Sequence, residues 1–300
     1  MSGIFRHAEW PSGGMKPRYR FGLIGHRIPY SLSAIVFRRL FSLLEIKGEF
    51  DVVDVPSEGF ETGLESFRKS DGFAVTIPYK ERVISYLDRL SEEARAIGAV
   101  NSVRVEHGRL WGNNTDAEGF LFPLRRTPFD GGRVLIMGHG GAARAVIWAL
   151  GNEYPPVDIT VCGRDAEKVA RFGDELTYAN GRKAVSRCIT FQDLKVSDGY
   201  DLVVNCTPVG GGNLVGRTPV PDGFPFRSCR ICYDLVYIPA RTRFLTEAET
   251  AGCVIIGGLP MLVRQAVASY ILWTGHELDG DAVTARILTT VSQDDGDPNP

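Results

Sequence analysis

The chain has 300 residues, enough for about two domains of roughly 150 residues each. Its 34 basic and 36 acidic side chains leave a net charge of −2. That balance argues against a nucleic-acid binder, which would carry a basic excess or stripe. No apolar run reaches the ~18–20 residues needed to span a bilayer, and the N-terminus lacks the apolar core of a signal peptide. We therefore expect a cytoplasmic protein that does not bind membranes.

Both ends of the chain differ in composition from the middle. Residues 1–19 are rich in Arg, Lys and Gly and show no helical periodicity, so we expect a disordered extension; an organelle transit peptide is the alternative. Residues 292–300 are acidic and contain proline, which predicts a disordered tail.

Between these ends, short β-rich runs alternate with longer helical patterns. In the first half, a helix is predicted at 33–45 and strands at 21–24, 50–55 and 73–75. In the second half, strands are predicted at 133–137, 158–162, 201–205 and 230–235, and helices at 142–150, 166–176, 261–273 and 281–290. The pattern breaks at 116–131. Such alternation predicts two α/β units with mostly parallel sheets and a cleft between them.

Two of the six cysteines have the spacing of a metal or redox site. Cys229 and Cys232 have the C-x-x-C spacing of such sites, but no second pair and no nearby pair of histidines completes a zinc set. The two residues also lie in a strand-like run and not before a helix. We expect no metal, and interpret these cysteines as small buried residues of a reduced protein.

The 34 glycines exceed the ~7% average, and their densest cluster after a predicted strand has a specific spacing. Gly138, His139, Gly140, Gly141 and Ala142 begin a G-x-G-x-x-A pattern that opens directly into the helix predicted at 142–150. The first glycine allows a tight turn, the second a close approach of backbone amides to a pyrophosphate, and the small third residue close packing of helix on strand. The pattern predicts dinucleotide binding at a helix N-terminus; a sharp turn without a ligand is the alternative.

The end of the next predicted strand indicates which dinucleotide is bound. An acidic residue there would bind the ribose 2′-hydroxyl of NAD, whereas an arginine accommodates the phosphate of NADP. Arg164 and Lys168 are four residues apart at a predicted helix start and could face one phosphate together. Asp165 lies between them and could either cap the helix or hold a ribose hydroxyl. NADP is favoured, with NAD or dual use still open.

Eight ordered segments resemble the motifs of the shikimate dehydrogenase family, over nearly all of 21–275. They lie at 25–33, 72–80, 98–102, 114–116, 138–144, 205–210, 233–239 and 261–266. The first three read GHRIPYSLS, GFAVTIPYK and GAVNS, and are similar to the family's G-x-P-I-x-H-S-x-S, G-x-N-V-T-x-P-x-K and G-A-V-N-T. The glycine loop itself is similar to the family's G-A-G-G-A-A-R.

The resemblance implies an enzyme of aromatic amino acid (chorismate) biosynthesis. The expected reaction is the reversible NADPH-dependent reduction of 3-dehydroshikimate to shikimate. The implied fold is an N-terminal α/β substrate-binding catalytic domain at 20–118, completed by the C-terminal helices within 259–291, and a Rossmann-type NADP domain at 119–258. The expected partner is the small-molecule substrate alone, with the protein a monomer or a homodimer.

The resemblance also implies roles for individual residues. Lys80 and Asp116 are expected to be the catalytic pair, and Ser31 and Ser33 to bind the substrate carboxylate. Further substrate contacts are expected from Thr76, Asn101, Tyr237 and Gln265, and cofactor contacts from Thr207, Gly258 and Met261 in addition to the glycine loop, Arg164 and Lys168. Without the resemblance, Lys80 would be interpreted as a surface lysine and the two serines as caps of the following helix.

Several positions depart from the family pattern, at the substrate rim and the cofactor phosphate site. They are Tyr30 for His, Ala34 for Pro, Ala74 for Asn, Gly163 for Asn, Asp165 for Thr and Gly211 for Met. These changes leave the reaction type intact and open the alternatives of a quinate or amino-shikimate substrate and of NAD as cofactor. A non-catalytic dinucleotide sensor is disfavoured because it would need neither Lys80 nor Asp116.

Overall fold

A computed structural model of the protein describes residues 18–178, 181–194 and 199–294. The elements up to residue 124 are β1 (Arg18–Gly25), α1 (Ser33–Leu44), β2 (Lys47–Asp54), α2 (Phe60–Ser66), β3 (Gly72–Val75), β4 (Arg89–Leu90), α3 (Glu92–Ile97), β5 (Ser102–Glu106), β6 (Arg109–Asn113) and α4 (Asp116–Leu124). The later elements are β7 (Gly132–Met137), α5 (Gly141–Glu153), β8 (Val157–Gly163), α6 (Ala166–Glu175), β9 (Arg187–Thr190), β10 (Tyr200–Asn205), β11 (Cys229–Asp234), α7 (Arg243–Thr250), β12 (Val254–Ile256), α8 (Leu259–Thr274) and α9 (Gly280–Asp294).

The described residues form two compact units. The first comprises 18–95, 99–119 and 262–294, and the second comprises 96–98 and 120–261 apart from the two short gaps. The chain passes from the first unit to the second within α4 and returns within α8.

The sheet of the first unit has the strand order β2-β1-β3-β5-β6-β4. The pairs β1–β2, β1–β3 and β4–β6 are parallel, whereas β3–β5 and β5–β6 are antiparallel. The β5–β6 hairpin turns at His107 and Gly108, both with positive φ (51° and 74°), as a two-residue turn between right-twisted strands requires. The sheet is therefore mostly but not wholly parallel.

An aromatic cluster packs helices onto β1 in this unit. Trp273 of α8 stacks on Phe37 of α1 with ring centroids 5.5 Å apart, and it lies 4.9 Å from the ring of Phe21. A Cβ at Gly72 would lie only 2.6 Å from Cδ2 of Trp273, so the indole packs directly on the backbone of β3. The C-terminal helix α8 is thus part of the core of the N-terminal unit.

The sheet of the second unit has the strand order β12-β11-β10-β7-β8-β9, and every adjacent pair is parallel. The central strand β7 is buried from Val134 to Met137, as expected for a strand covered on both faces. Parallel strands place their carboxyl ends at one edge, where ligands of such sheets bind. The loops that follow β7, β8 and β10 share that edge.

The predicted fold class is confirmed, with corrections at three places. Strand β1 begins at Arg18 and helix α9 runs to Asp294, so the folded part extends a few residues into both segments expected to be disordered. The rest of those segments, 1–17 and 295–300, lies outside the described residues. The break predicted at 116–131 contains a helix, α4, at its start.

The described residues show no helix long and apolar enough to cross a membrane. The six cysteines are all free thiols, and burial raises the pKa of Cys162 and of Cys229 to about 12. In the same part of the chain, no group of three or more His, Cys, Asp or Glu side chains is placed to hold a metal ion.

Candidate active site

The first unit contains a buried ion pair between Lys80 and Asp116. Lys80 lies between β3 and β4, and its Nζ donates to Oδ2 of Asp116 at 2.5 Å. The lysine side chain is 16% exposed and the aspartate side chain 5%. A pair so little exposed must be satisfied by its own partners, because an uncompensated buried charge is costly. The lysine keeps the larger exposed fraction and is thus the partner more open to solvent.

Asn101 connects this pair to the C-terminal helix. Its Nδ2 lies 2.9 Å from Oδ1 of Asp116, 2.9 Å from Oγ1 of Thr115 and 3.2 Å from Oε1 of Gln265 on α8. Its Oδ1 accepts from the backbone N–H of Thr115 at 2.7 Å. Asn101 is 2% exposed, so a rigid side chain aligns the carboxylate of Asp116 and the amide of Gln265.

The backbone around Asp116 is held by its neighbours. Asn114 Oδ1 accepts from the backbone N–H of Asp116 at 3.0 Å, and Asn114 Nδ2 donates to the carbonyl of Ala99 at 2.9 Å. Thr115 Oγ1 lies 3.0 Å from Oγ of Ser269 on α8. Asp116 is therefore the first residue of α4, fixed by a capping side chain and by α8.

The two serines lie together at the start of α1. Ser31 Oγ donates to Ser33 Oγ at 3.1 Å, and the backbone N–H of Ser33 points to Ser31 Oγ at 3.3 Å. Leu32 occupies the N-cap position, and no side chain caps α1 there. Neither serine is the N-cap residue, although Ser31 Oγ accepts the N–H of the first residue of α1, and the two hydroxyls form one adjacent pair.

Asp54, at the end of β2, holds the loop that carries these serines. Its carboxylate accepts the backbone N–H groups of Arg27 (2.8 Å) and Ile28 (2.9 Å) and lies 3.3 Å from Nδ1 of His26. The Ile28 bond, followed by the others, lowers the pKa of Asp54. Arg27 has a φ of 58°, an unfavourable conformation for a residue with a Cβ, which these bonds help to maintain.

Thr76 follows β3 and lies close to the start of the serine loop. Its backbone N–H donates to the carbonyl of Ile24 at 2.9 Å, and a Cβ at Gly25 would lie 2.6 Å from Cγ2 of Thr76. The absence of a side chain at Gly25 therefore lets these two loops approach each other. Thr76, the serines, Lys80, Asn101, Asp116 and Gln265 all belong to the first unit.

The glycine loop of the second unit has the geometry that its sequence predicts. Gly138 has a φ of 106°, which favours glycine, and a Cβ there would lie 3.2 Å from the backbone carbon of Cys206. A Cβ at Gly140 would have no heavy atom within 4 Å, so its backbone is open on that side. Gly140 is the N-cap of α5, which is 13 residues long. The loop thus presents backbone amides and the positive end of a helix dipole, the chemistry that suits a pyrophosphate.

The loop after β8 carries the residues predicted to distinguish NADP from NAD. Asp165 is the N-cap of α6: its Oδ1 accepts from the backbone N–H of Lys168 at 3.1 Å, and this bond lowers the pKa of its carboxyl. Nζ of Lys168 lies 3.5 Å from Oδ2 of Asp165. Of the two roles considered for Asp165, the structure contains the cap. Arg164 is exposed at the end of β8.

Thr207, after β10, belongs to a buried polar network. Its backbone N–H and its Oγ1 both donate to Oδ1 of Asn205, at 3.0 and 2.6 Å. Nδ2 of Asn205 lies 2.9 Å from Oδ1 of Asp234, which also accepts from the backbone N–H of Val236 at 3.0 Å. Oγ1 of Thr242 donates to the other oxygen of Asp234 at 2.6 Å. Burial, the largest effect, raises the pKa of Asp234 to about 6 against the lowering effect of these bonds.

Tyr237 lies in the loop after β11, and Gly258 and Met261 lie at the start of α8 or directly before it. A Cβ at Gly258 would lie 2.6 Å from the carbonyl carbon of Leu235, so only glycine fits without a backbone shift. Met261 is buried, and Tyr237 is half-buried. The second unit therefore contains Tyr237 and all the residues predicted to bind the cofactor.

Comparison with known proteins assigns this architecture to a family. The family model described as the shikimate dehydrogenase substrate binding domain matches residues 23–103. The chain is 37% identical over 268 residues to a shikimate dehydrogenase (NADP(+)) of Salinibacter ruber. The matched segment covers 87% of this chain and 94% of the relative. The chain belongs to the shikimate dehydrogenase family.

Solved structures similar to this member of the shikimate dehydrogenase family cover the same length. A chorismate mutase/shikimate 5-dehydrogenase fusion protein from Clostridium acetobutylicum has a TM-score of 0.81 at 31% identity, covering 92% of this chain and 98% of that one. Shikimate 5-dehydrogenase from Thermus thermophilus, in complex with NADP(H) and shikimate, has a TM-score of 0.75 at 33% identity, covering 90% and 99%.

Sequence reasoning missed the supporting residues of this shikimate dehydrogenase family site. Several hydrogen bonds join the loops that carry the predicted contacts to three such residues, which are Asp54, Asn205 and Asp234. All three occupy the last position of a parallel strand. A polar residue at that position was the available signal, because the carboxyl ends of parallel strands meet the ligand-binding loops.

Proposed function

We propose that the protein is an NADP-dependent shikimate dehydrogenase, an oxidoreductase that reversibly reduces 3-dehydroshikimate to shikimate. The observation that carries this proposal is the buried Lys80–Asp116 pair joined through Asn101 to Gln265. It is supported by the similarity to relatives named shikimate dehydrogenase (NADP(+)). Residues 20–118, completed by 259–291, form the substrate domain in this proposal, and 119–258 the Rossmann domain.

Lys80 and Asp116 supply the acid–base chemistry. NADPH, when bound, supplies the hydride that reduces the substrate carbonyl. The ammonium of Lys80 holds the proton that the alkoxide oxygen needs, and releases it to that oxygen; the reverse reaction returns the proton to Nζ. Oδ2 of Asp116 accepts the hydrogen bond of the ammonium and orients it, while Oδ1 is held by Asn101.

The substrate is an anionic ring with several hydroxyl groups. Ser31 and Ser33 present an adjacent pair of hydroxyl donors for its carboxylate. The ring hydroxyls then face Thr76, Asn101 and Gln265 of the first unit. Tyr237 is proposed as a further substrate contact. Asn101 contacts both Asp116 and Gln265 and so holds a residue of the catalytic pair and a proposed substrate contact in a fixed arrangement.

The cofactor would be held by the second unit. The backbone of Gly138, His139, Gly140, Gly141 and Ala142 fits the pyrophosphate, since the loop is open at Gly140 and opens into α5. At the adenosine end the proposed contacts are Arg164 and Lys168, although the ammonium of Lys168 already faces Asp165. Toward the nicotinamide the proposed contacts are Thr207, Gly258 and Met261.

The proposal has a direct test in the purified protein. Shikimate or quinate is mixed with NADP⁺ or NAD⁺, and the reduced nicotinamide is followed by its absorbance. We expect turnover with shikimate and NADP⁺ at a higher kcat/KM than with the other three combinations. Absence of turnover in all four would refute the proposed function, and a preference for quinate would refute the substrate. We propose further that the enzyme acts in the cytoplasm as a monomer or a homodimer.

A further inference from the structure

The imidazole of His139 packs on the last residue of β8. A Cβ added at Gly163 would lie 3.0 Å from Nδ1 and 3.4 Å from Cε1 of His139, and would also collide with Val169 of α6. The imidazole also meets the ring of Phe172 edge to face, with ring centroids 6.2 Å apart at 69°. Gly163 therefore leaves the space that the ring of His139 occupies. The two residues form one packing unit between the glycine loop and α6.

One nitrogen of this imidazole is buried without a hydrogen-bond partner among the described residues. That atom is Nδ1, the nitrogen facing Gly163. A buried N–H without an acceptor costs more than a buried lone pair, so the ring proton is expected on Nε2. His139 as a whole is only half-buried. Nε2–H is thus the donor that His139 can offer to a ligand.

The position of this donor indicates which part of a dinucleotide it meets. In a Rossmann-type unit, the end of the second strand faces the adenosine ribose and its 2′ substituent. Here that strand is β8, which ends at Gly163, directly before Arg164. Lys168, the other cation at this end, has its ammonium 3.5 Å from Asp165. His139 therefore packs on the residue that directly precedes Arg164, at the end of the strand where a Rossmann-type unit meets the adenosine 2′ substituent.

We propose that His139 is a specificity-determining residue, whose Nε2–H donates to the 2′-phosphate of NADP. This inference rests on the proposed function and assigns His139 a side-chain role beyond the backbone contact of the glycine loop. A side chain at position 163 would crowd both Val169 and the imidazole, so glycine there leaves the ring of His139 in place.

The test measures the binding of NADP⁺ and of NAD⁺ by calorimetry without substrate. The variants are His139→Gln, whose amide nitrogen can replace Nε2, and His139→Asn, whose amide nitrogen replaces Nδ1 instead. We expect His139→Asn to weaken NADP⁺ binding about tenfold and NAD⁺ binding less than about threefold, because only NADP⁺ carries the 2′-phosphate that accepts from His139. His139→Gln should retain NADP⁺ affinity within about threefold of wild type.

A second comparison tests the packing on Gly163. Gly163→Ala should weaken NADP⁺ binding more in the wild-type background than in His139→Asn, because the added Cβ displaces the imidazole. Full NADP⁺ affinity in His139→Asn, or equal losses for both dinucleotides, would overturn the inference while leaving the proposed function intact. If the wild-type protein binds neither dinucleotide, the proposed function fails and the inference fails with it.

Discussion

Replacement of Asp234 by Asn tests the buried network that holds the loop of Thr207. Asp234 is fully buried, and burial raises its pKa from 3.8 to about 6. The folded protein therefore binds the proton of this carboxyl more tightly than the unfolded chain does. Its contribution to the free energy of unfolding is largest in acid and is lost as the pH rises to 6. The difference between the two pKa values corresponds to about 3 kcal/mol of unfolding free energy in total. About 2 kcal/mol of this contribution is lost between pH 4 and pH 7.

The Asp234→Asn variant keeps the shape of the side chain but does not titrate. Urea unfolding of both proteins, followed by tryptophan fluorescence at pH 4, 5, 6 and 7, gives the difference in their free energies of unfolding. Other titrating groups cancel in that difference. We expect wild type to lose about 2 kcal/mol relative to Asp234→Asn across this range. A difference in unfolding free energy that does not change with pH, or that grows in favour of wild type as the pH rises, would refute the inference that burial raises the pKa of Asp234.

Two further predictions concern the loops. Asp54→Ala removes the acceptor that fixes the serine loop. In steady-state kinetics, it should raise the KM for shikimate about tenfold and change the KM for NADP⁺ little. The control is Asp51→Ala at an exposed position of the same strand, which should change neither KM. Gly258→Ala should lower the free energy of unfolding by about 1–3 kcal/mol because its Cβ would lie 2.9 Å from the backbone carbon of Val236. Gly257→Ala, whose nearest atom is 3.6 Å away, is the control; equal denaturation midpoints for the two alanine variants would contradict this.

The central strands of both sheets could be predicted because they are short apolar runs between helical patterns. Buried parallel strands such as β7 and β10 have this signature in any α/β protein. The β5–β6 hairpin was missed, although His107 and Gly108 form a two-residue turn between alternating residues. Strands of only five residues have too short an alternating pattern to be detected from the sequence.

Helix α4 could not be predicted, for a different physical reason. Its sequence contains Gly119 and Pro123, which break helical patterns in isolation. The helix is held instead by the Asn114 cap at its start and by the burial of Phe120 and Leu124. Tertiary packing overrides local propensity in so short a helix.

The site residues were named from motifs, but the contacts between them depend on the three-dimensional structure. Motif order places Asn101 and Gln265 in separate segments, and only the packing of α8 on the N-terminal unit brings them within 3.2 Å. For Asp165, both a cap and a ribose contact were compatible with the sequence. The backbone of α6, which directs the N–H of Lys168 at its carboxylate, decides for the cap.

The role of Lys80 tests the central claim most directly. The measurement is the kcat of shikimate oxidation with NADP⁺ for wild type and for Lys80→Ala, with NADP⁺ affinity and unfolding midpoint determined on the same preparations. The exposed Lys47→Ala serves as the control. We predict that Lys80→Ala lowers kcat by about 10²–10⁴ with NADP⁺ affinity unchanged, because the group beside Asp116 that accepts the proton of the substrate hydroxyl during oxidation is lost. A folded Lys80→Ala protein with kcat within about threefold of wild type would contradict the account.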